Sequence, residues 1–191
     1  MMKNVKIVII AIACVCLICG GFYLFSESFN SGNEDELTEI EKVLVKDLKN
    51  DYPKTPREVA KFYNRIVACY HSSSTKDNEV EKLVDQMMIL FDDDLIAKTP
   101  KSEYYAAVVT DIELYKQSNK VIASMNVCDS NDVDYVTDDR NGDKLAFVDV
   151  DYFVNTDGKF SNSYLRIGLR QNADGDWKIV GVTLREVEDD E

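Results

Sequence analysis

VDVDYFVNTDGKFSNSYLRIGLRQNADGDWKIVGVTL, residues 148–184, carries two Asp-Gly pairs, Asp157-Gly158 and Asp174-Gly175, each flanked by alternating apolar residues. An Asp-Gly pair in that setting signals a two-residue hairpin of type I′, because both residues tolerate the positive φ that the turn demands. In such a hairpin the numbers of paired residues add to a constant, 315 about the first turn and 349 about the second. Val148 then faces Ile167 and Val150 faces Leu165, while Leu169, Ile167 and Leu165 face Val180, Val182 and Leu184. One apolar face runs across three strands, and a slip of one residue would set apolar positions opposite polar ones throughout. The opposite face pairs Asp149 with Arg166 and gathers Phe147, Tyr164, Trp177 and Ile179 as a possible dimer or partner face.

Upstream, Val121, Ala123, Met125 and Val127 keep the period of two, and before residue 120 the period is helical. Leu37, Ile40, Leu44 and Leu48 mark a first helix, with Asn33 and Glu36 spaced as a capping box. Thr55, Pro56 and Glu58 open a second, since threonine caps, proline suits the first helical position and a glutamate three residues on returns a bond. Its inner face is Val59, Phe62, Tyr63, Ile66, Val67 and Tyr70. The run SSSTKDN, Ser72–Asn78, breaks it, and Asn78 with Glu81 predicts the start of a third helix bearing Val80, Leu83, Val84, Met87 and Phe91. A fourth, Ser102 to about Ser118, groups Tyr105, Val108, Ile112 and Tyr115. The fold class expected is α+β, about four helices followed by a curved antiparallel sheet.

The stretch IVIIAIACVCLICGGFYLF, Ile7–Phe25, has no charge across nineteen residues, close to the number a helix needs to cross a hydrocarbon core about 30 Å thick. A cleaved signal would end its apolar run at small residues, whereas the A-x-A at Ala11–Ala13 is followed by a dozen more largely apolar ones. Lys3 and Lys6 precede the span, and Glu27, Glu34, Asp35 and Glu36 follow it, so the positive-inside rule places the N-terminus in the cytoplasm. The expected organisation is a cytoplasmic N-terminus at 1–6, a transmembrane helix at 7–25, a polar tether at 26–36, an extracytoplasmic domain at 37–186 and an acidic tail at 187–191. Cys14, Cys16 and Cys19 read as small apolar residues of the span.

Beyond the span, 20 Lys and Arg face 35 Asp and Glu, a net charge of −15. That surface repels phosphate backbones, so nucleic acid is not an expected partner. The membrane, through the span, is the first expected partner, and a second copy or another extracytoplasmic protein on the Phe147 face is the second.

Helices followed by an antiparallel sheet that closes on DGDWKIVGV, Asp174–Val182, resemble the nuclear transport factor 2-like superfamily, in which helices cover the concave face of the sheet to form a cone. The resemblance covers about residues 37–186. It implies a cone fold and, in its enzyme members, an aspartate or histidine projecting into the cone. The run DLKNDYPKTPREVAKFYNRIVACY, Asp47–Tyr70, behind one span is similar to an uncharacterised family of membrane-anchored proteins from Gram-positive bacteria, which implies no activity.

His71 is the sole histidine, and at the end of the second helix it reads as a solvated partner of the helix dipole. Asp149 reads as the cross-strand partner of Arg166. The segment Asp129–Asp143 holds six aspartates, yet no frame supplies the acidic positions, glycine and closing glutamate of an EF-hand, so it reads as a solvated loop. Cys69, on the apolar side of the second helix, and Cys128, which alternates away from Val127, read as two free thiols. Phosphate loops, dinucleotide fingerprints and nucleophile elbows are missing from the sequence, and no metal or cofactor is implied. The function expected is a membrane-anchored, extracytoplasmic, noncatalytic binding or assembly module. The alternative is an isomerase, cyclase or dehydratase-like enzyme acting on a small molecule within the cone.

Overall fold

The structure is a computed structural model that describes residues 37–185. The chain divides into two units, Met1–Thr38 and Glu39–Glu191. Only Leu37 and Thr38 of the first are described, and the second is the α+β domain. The expected span at 7–25, the tether at 26–36 and the tail at 187–191 lie outside the described residues. Among the described residues no helix is long and apolar enough to cross a membrane.

Helices α1 (Glu39–Leu44), α2 (Pro56–Tyr70), α3 (Asp77–Leu90), α4 (Asp93–Lys98) and α5 (Lys101–Gln117) precede strands β1 (Lys120–Val127), β2 (Asp134–Thr137), β3 (Lys144–Thr156), β4 (Lys159–Gln171) and β5 (Trp177–Leu184). The antiparallel sheet runs β1-β3-β4-β5, and β2 pairs with the other half of β3 beside β1. One sheet face, built from Ala146, Val148, Val150, Tyr152, Ile167, Leu169 and Ile179, is buried under α2 and α3. Burial of that face against Val59, Phe62, Ile66, Leu83, Val84, Met87 and Leu90 forms the hydrophobic core, at roughly 1.5–3 kcal/mol for each large aliphatic or aromatic side chain removed from water.

The start of α2 is as the sequence predicts. The Thr55 hydroxyl accepts from the Glu58 amide at 3.2 Å, and Glu58 Oε2 accepts from the Thr55 amide at 3.1 Å, with Pro56 at the first helical position. The third helix starts earlier than Asn78. Lys76 is its cap, and as lysine offers no acceptor, only the return bond is made, from the Lys76 amide to Glu79 Oε2 at 2.8 Å. A short helix, α4, absent from the sequence reading, is capped by Asp92, whose carboxylate accepts from the Asp94 amide at 3.0 Å.

The first hairpin follows the predicted register, from Leu145 opposite Arg170 to Thr156 opposite Lys159, and both Asp157 and Gly158 have positive φ, at 51° and 81°. The second departs from it. Asp174 does not share the positive φ of Gly175, at 88°. Instead the loop has three residues: the Gly175 amide donates to Asn172 O at 3.0 Å and the Asn172 amide to Asp176 O at 2.8 Å, while the Asn172 side-chain oxygen accepts from the amides of Asp174 and Asp176. The pairing sum becomes 348, with Gln171 opposite Trp177 and Leu169 opposite Ile179. A bulge at Val180 then restores the predicted pairs, Ile167 with Val182 and Leu165 with Leu184. In consequence Trp177 and Ile179 point into the core, at 8% and 0% exposed, rather than lying beside Phe147 and Tyr164. A second bulge, at Ala123, leaves Met125 and Val127 inward as read but turns Val121 outward and Ile122 inward, so the simple alternation read for β1 breaks before it.

The free edge of β5 is closed by the junction of α3 and α4. Phe91 bridges Ile179 in parallel, and the Asp92 amide donates to Ile179 O at 2.9 Å. Asp92, 5% exposed, is held by Arg170 through Nε at 3.0 Å and through Nη2, which also reaches Asp94 at 2.7 Å. Removing one partner of a buried ion pair leaves the other charge uncompensated. Arg170→Ala is therefore expected to cost about 3 kcal/mol in urea unfolding, whereas Lys101→Ala, which removes exposed pairs with Glu81 and Asp85, should leave the midpoint nearly unchanged.

Candidate functional site

Helix α5 buries fully only Val108, although it is among the longest helices of the domain. The cause lies in what it faces. Tyr104, Ala107, Val108, Asp111 and Tyr115, spaced three and four apart, form one wall of a cavity of ≈ 370 Å³. Tyr63, Val67 and Tyr70 of α2 form the second wall, and Ile122, Tyr152, Val154, Ser163 and Leu165 of the sheet form the floor. The face expected for α5 is divided: Val108 and Tyr115 meet this cavity, while Tyr105 and Ile112 turn toward the start of α3.

His71 departs from its expected place in solvent. As the C-terminal cap of α2 it is turned inward, with its side chain 7% exposed, and its ring stacks on Tyr115 at a centroid distance of 3.9 Å. Its Nε2 lies 3.2 Å from Asp111 Oδ2, and Asp111 sits half-exposed at the rim. Lys120 Nζ lies on Tyr115, 4.4 Å from the ring centroid. Burial pulls the His71 pKa below its ordinary value, with Lys120 acting in the same direction and Asp111 opposing. The ring is thus neutral at pH 7, and Nε2, which lies beside the Asp111 carboxylate, is the nitrogen placed to carry the proton.

The remaining polar groups differ in how well they are partnered. The Tyr152 hydroxyl donates to Asn64 Oδ1, leaving Asn64 Nδ2 buried without a partner. The Tyr70 phenol faces that of Tyr104, yet its oxygen has no partner of hydrogen-bonding geometry, and neither has His71 Nδ1. Burial raises the pKa of Tyr70, Tyr104 and Tyr152 well above the ordinary phenol value, and pushes Tyr63 up to about 12 with help from Asp111. All four stay protonated at neutral pH.

The face expected to meet a partner is not assembled. Phe147 and Tyr164 do lie on the uncovered side of the sheet, but half-buried, and the Arg185 guanidinium sits 5.6 Å from the Tyr164 ring centroid. Trp177 and Ile179 belong to the core. On the uncovered face Asp149 pairs with Arg166 in the expected cross-strand fork, at 2.7 and 2.9 Å. Four aspartates of the acidic segment face arginines, Asp129 with Arg57, Asp134 with Arg166, Asp138 with Arg140 and Asp143 with Arg170. Among the described residues no group of three or more His, Cys, Asp or Glu is placed to hold a metal ion. Cys69 and Cys128 are free thiols, and burial raises that of Cys69 to about 11, an inert packing group.

The sequence does not disclose this site, because its parts come from five elements and lack a motif. Two signals point to it: a carboxylate, Asp111, inside an otherwise aromatic and apolar stripe of α5, and a histidine one residue past an apolar helix face that ends in Tyr70.

Fold and site together define an α+β domain that forms an open, tyrosine-lined cavity, with one neutral imidazole in its wall, between its helices and one face of an antiparallel sheet. The chain matches Domain of unknown function (DUF6715) over residues 1–182 and belongs to that family. Comparison with curated proteins found no match.

A base whose folded pKa lies below its unfolded value loses stability as pH falls, because only the unfolded state takes up the proton. Stability is thus full above the ordinary histidine pKa of about 6.5 and declines below it. Urea unfolding of the parent is expected to weaken between pH 7 and 5.5, and the decline should flatten in His71→Gln.

Proposed function

We propose that this protein is a membrane-anchored, extracytoplasmic binding module that holds a small molecule inside a cone of nuclear transport factor 2-like fold. The observation that carries the reading is the cavity itself. A plugged cone would have served an assembly module, but ≈ 370 Å³ of space walled by aromatic, aliphatic and a few convergent polar side chains is the ordinary make-up of a small-molecule site. Helices on one face of an antiparallel sheet support the cone fold. The uncharged run at 7–25, with basic residues before it and acidic ones after, supports anchoring with the domain outside the cell.

A second reading rests on the pair of His71 and Asp111. A neutral imidazole oriented by a carboxylate, beside protonated phenols, is equipped to move a proton on a bound molecule, as an isomerase, cyclase or dehydratase-like enzyme would.

The test is to plug the cavity. Full-length protein in lipid nanodiscs is expected to show ligand-dependent rises in melting temperature against a small-molecule library, and Ala107→Trp, which places an indole at the cavity wall, should abolish them. Rises that persist unchanged in Ala107→Trp would sink the binding reading. Turnover of a hit that is lost in His71→Gln while its binding remains would favour the enzyme. Anchoring is checked separately: protease added to intact, wall-stripped cells should digest the domain, and protein released to the medium with an N-terminus past Ala13 would refute it.

A further inference from the structure

Two polar atoms in the cavity wall have no partner, His71 Nδ1 and the Tyr70 hydroxyl. Both belong to side chains more than nine-tenths buried, with His71 at 7% and Tyr70 at 4% exposed. They are neighbours in sequence and sit at one end of α2. A buried polar group left unsatisfied costs about 1–3 kcal/mol, so two at the wall of one cavity mark where a bound molecule would supply the missing bonds.

The direction of the bond at His71 follows from the other side of its ring. A carboxylate accepts and does not donate, so the proton of the neutral imidazole resides on Nε2, 3.2 Å from Asp111 Oδ2. Nδ1 then presents a bare lone pair. The Tyr70 hydroxyl, protonated, either donates or accepts. A carboxylate or phosphate in this position would set its negative charge against the Nδ1 lone pair with Asp111 behind it, while the cation in the lining, Lys120, is engaged over the Tyr115 ring. Apart from Ser163 in the floor, the rest of the lining is aromatic and aliphatic.

We infer that the cavity selects neutral, largely apolar molecules bearing a hydroxyl, which donates its proton to His71 Nδ1 and lies against the Tyr70 hydroxyl. The inference rests on the binding reading above and names its ligand class. Asp111 acts as a positioning residue: by fixing the proton on Nε2 it makes Nδ1 an acceptor.

The single histidine makes the test unambiguous, because one 15N-labelled ring gives one pair of nitrogen signals. Full-length protein in nanodiscs is titrated with 4-phenylphenol, 4-methoxybiphenyl and biphenyl-4-carboxylate, with Ala107→Trp as the control for partition into lipid. 4-Phenylphenol is expected to shift the Nδ1 signal and to bind about tenfold more tightly than the ether, the worth of one hydrogen bond to a buried acceptor. The carboxylate should bind more weakly still. Tyr70→Phe should weaken the phenol alone, and Asp111→Asn, which frees the tautomer, should narrow the phenol-to-ether ratio without unfolding the domain. Equal affinity for phenol and ether, or a preference for the carboxylate, overturns the ligand class while leaving the cavity a binding site. Absence of any His71 shift with all three probes overturns the inference, and library hits lost in Ala107→Trp would still then uphold the binding reading.

Discussion

The turn Asn172–Asp176 sets the phase on which the upper half of the domain is built. A two-residue loop would have left Trp177 and Ile179 on the outer face; the asparagine side chain, by accepting two loop amides, stabilises three residues instead. That one-residue change turns Trp177 and Ile179 toward the helices. Ile179 then offers its carbonyl to Asp92 at the junction of α3 and α4, and Arg170, directly across from Lys178, reaches the Asp92 carboxylate from β4. Lys178 completes the lock by donating to Ile89 O at 3.0 Å, near the C-terminal end of α3, and by lying 3.8 Å from the Tyr52 ring centroid. The place where α3 ends, and so where α5 can begin, is therefore fixed from the sheet edge.

From that anchor the cavity follows as a geometric remainder. Helices α2 and α3 are seated by fully buried residues such as Val59, Ile66, Leu83 and Met87 and cannot shift without opening the core. Helix α5 starts beyond α4 and returns along the sheet with bulky tyrosines on its inner side. It meets the sheet at β1 and leaves the space over β3 and β4 open. The domain accepts unpaired polar atoms at this remainder, on the adjacent residues Tyr70 and His71, with single ones elsewhere on Asn64, Gln86 and Arg185, while groups such as Tyr52 with Trp177 O and Asp92 with Arg170 are matched. Local conflict with the rule of satisfied burial is where function is normally found.

How much of this the sequence discloses depends on whether the signal is local. The α2 capping box and the first hairpin are set by residues within a few positions of each other, and both are as read. The second hairpin carries the same Asp-Gly pair, yet its loop is decided by Asn172, two residues before it, and by a bulge at Val180 that only tertiary packing of Ile179 explains. The partner face was lost through that single step, since a shift of one residue exchanges the two faces of a strand. The cavity was invisible for another reason. His71 and Asp111 are forty residues apart, and their meeting depends on the angle at which α5 crosses α2, a property of the packed domain and not of either helix.

The walls of the cavity also differ in what it takes to move them. Displacing the sheet floor would expose Val154 and Tyr152 and break strand pairing on both sides of β3. Displacing α2 would empty sites occupied by Phe62, Ile66 and Cys69. Moving α5 outward would uncover one buried aliphatic side chain, Val108, and separate ring contacts and one half-exposed polar contact: Tyr115 with His71, Tyr104 with Phe91, and Asp111 with His71. Segments with few buried apolar contacts lie at the low end of local stability, and entry sites are drawn from that end. The same helix that leaves the space is thus the wall that gives way at least cost, and the His71–Asp111 contact spans the seam between that wall and the fixed one.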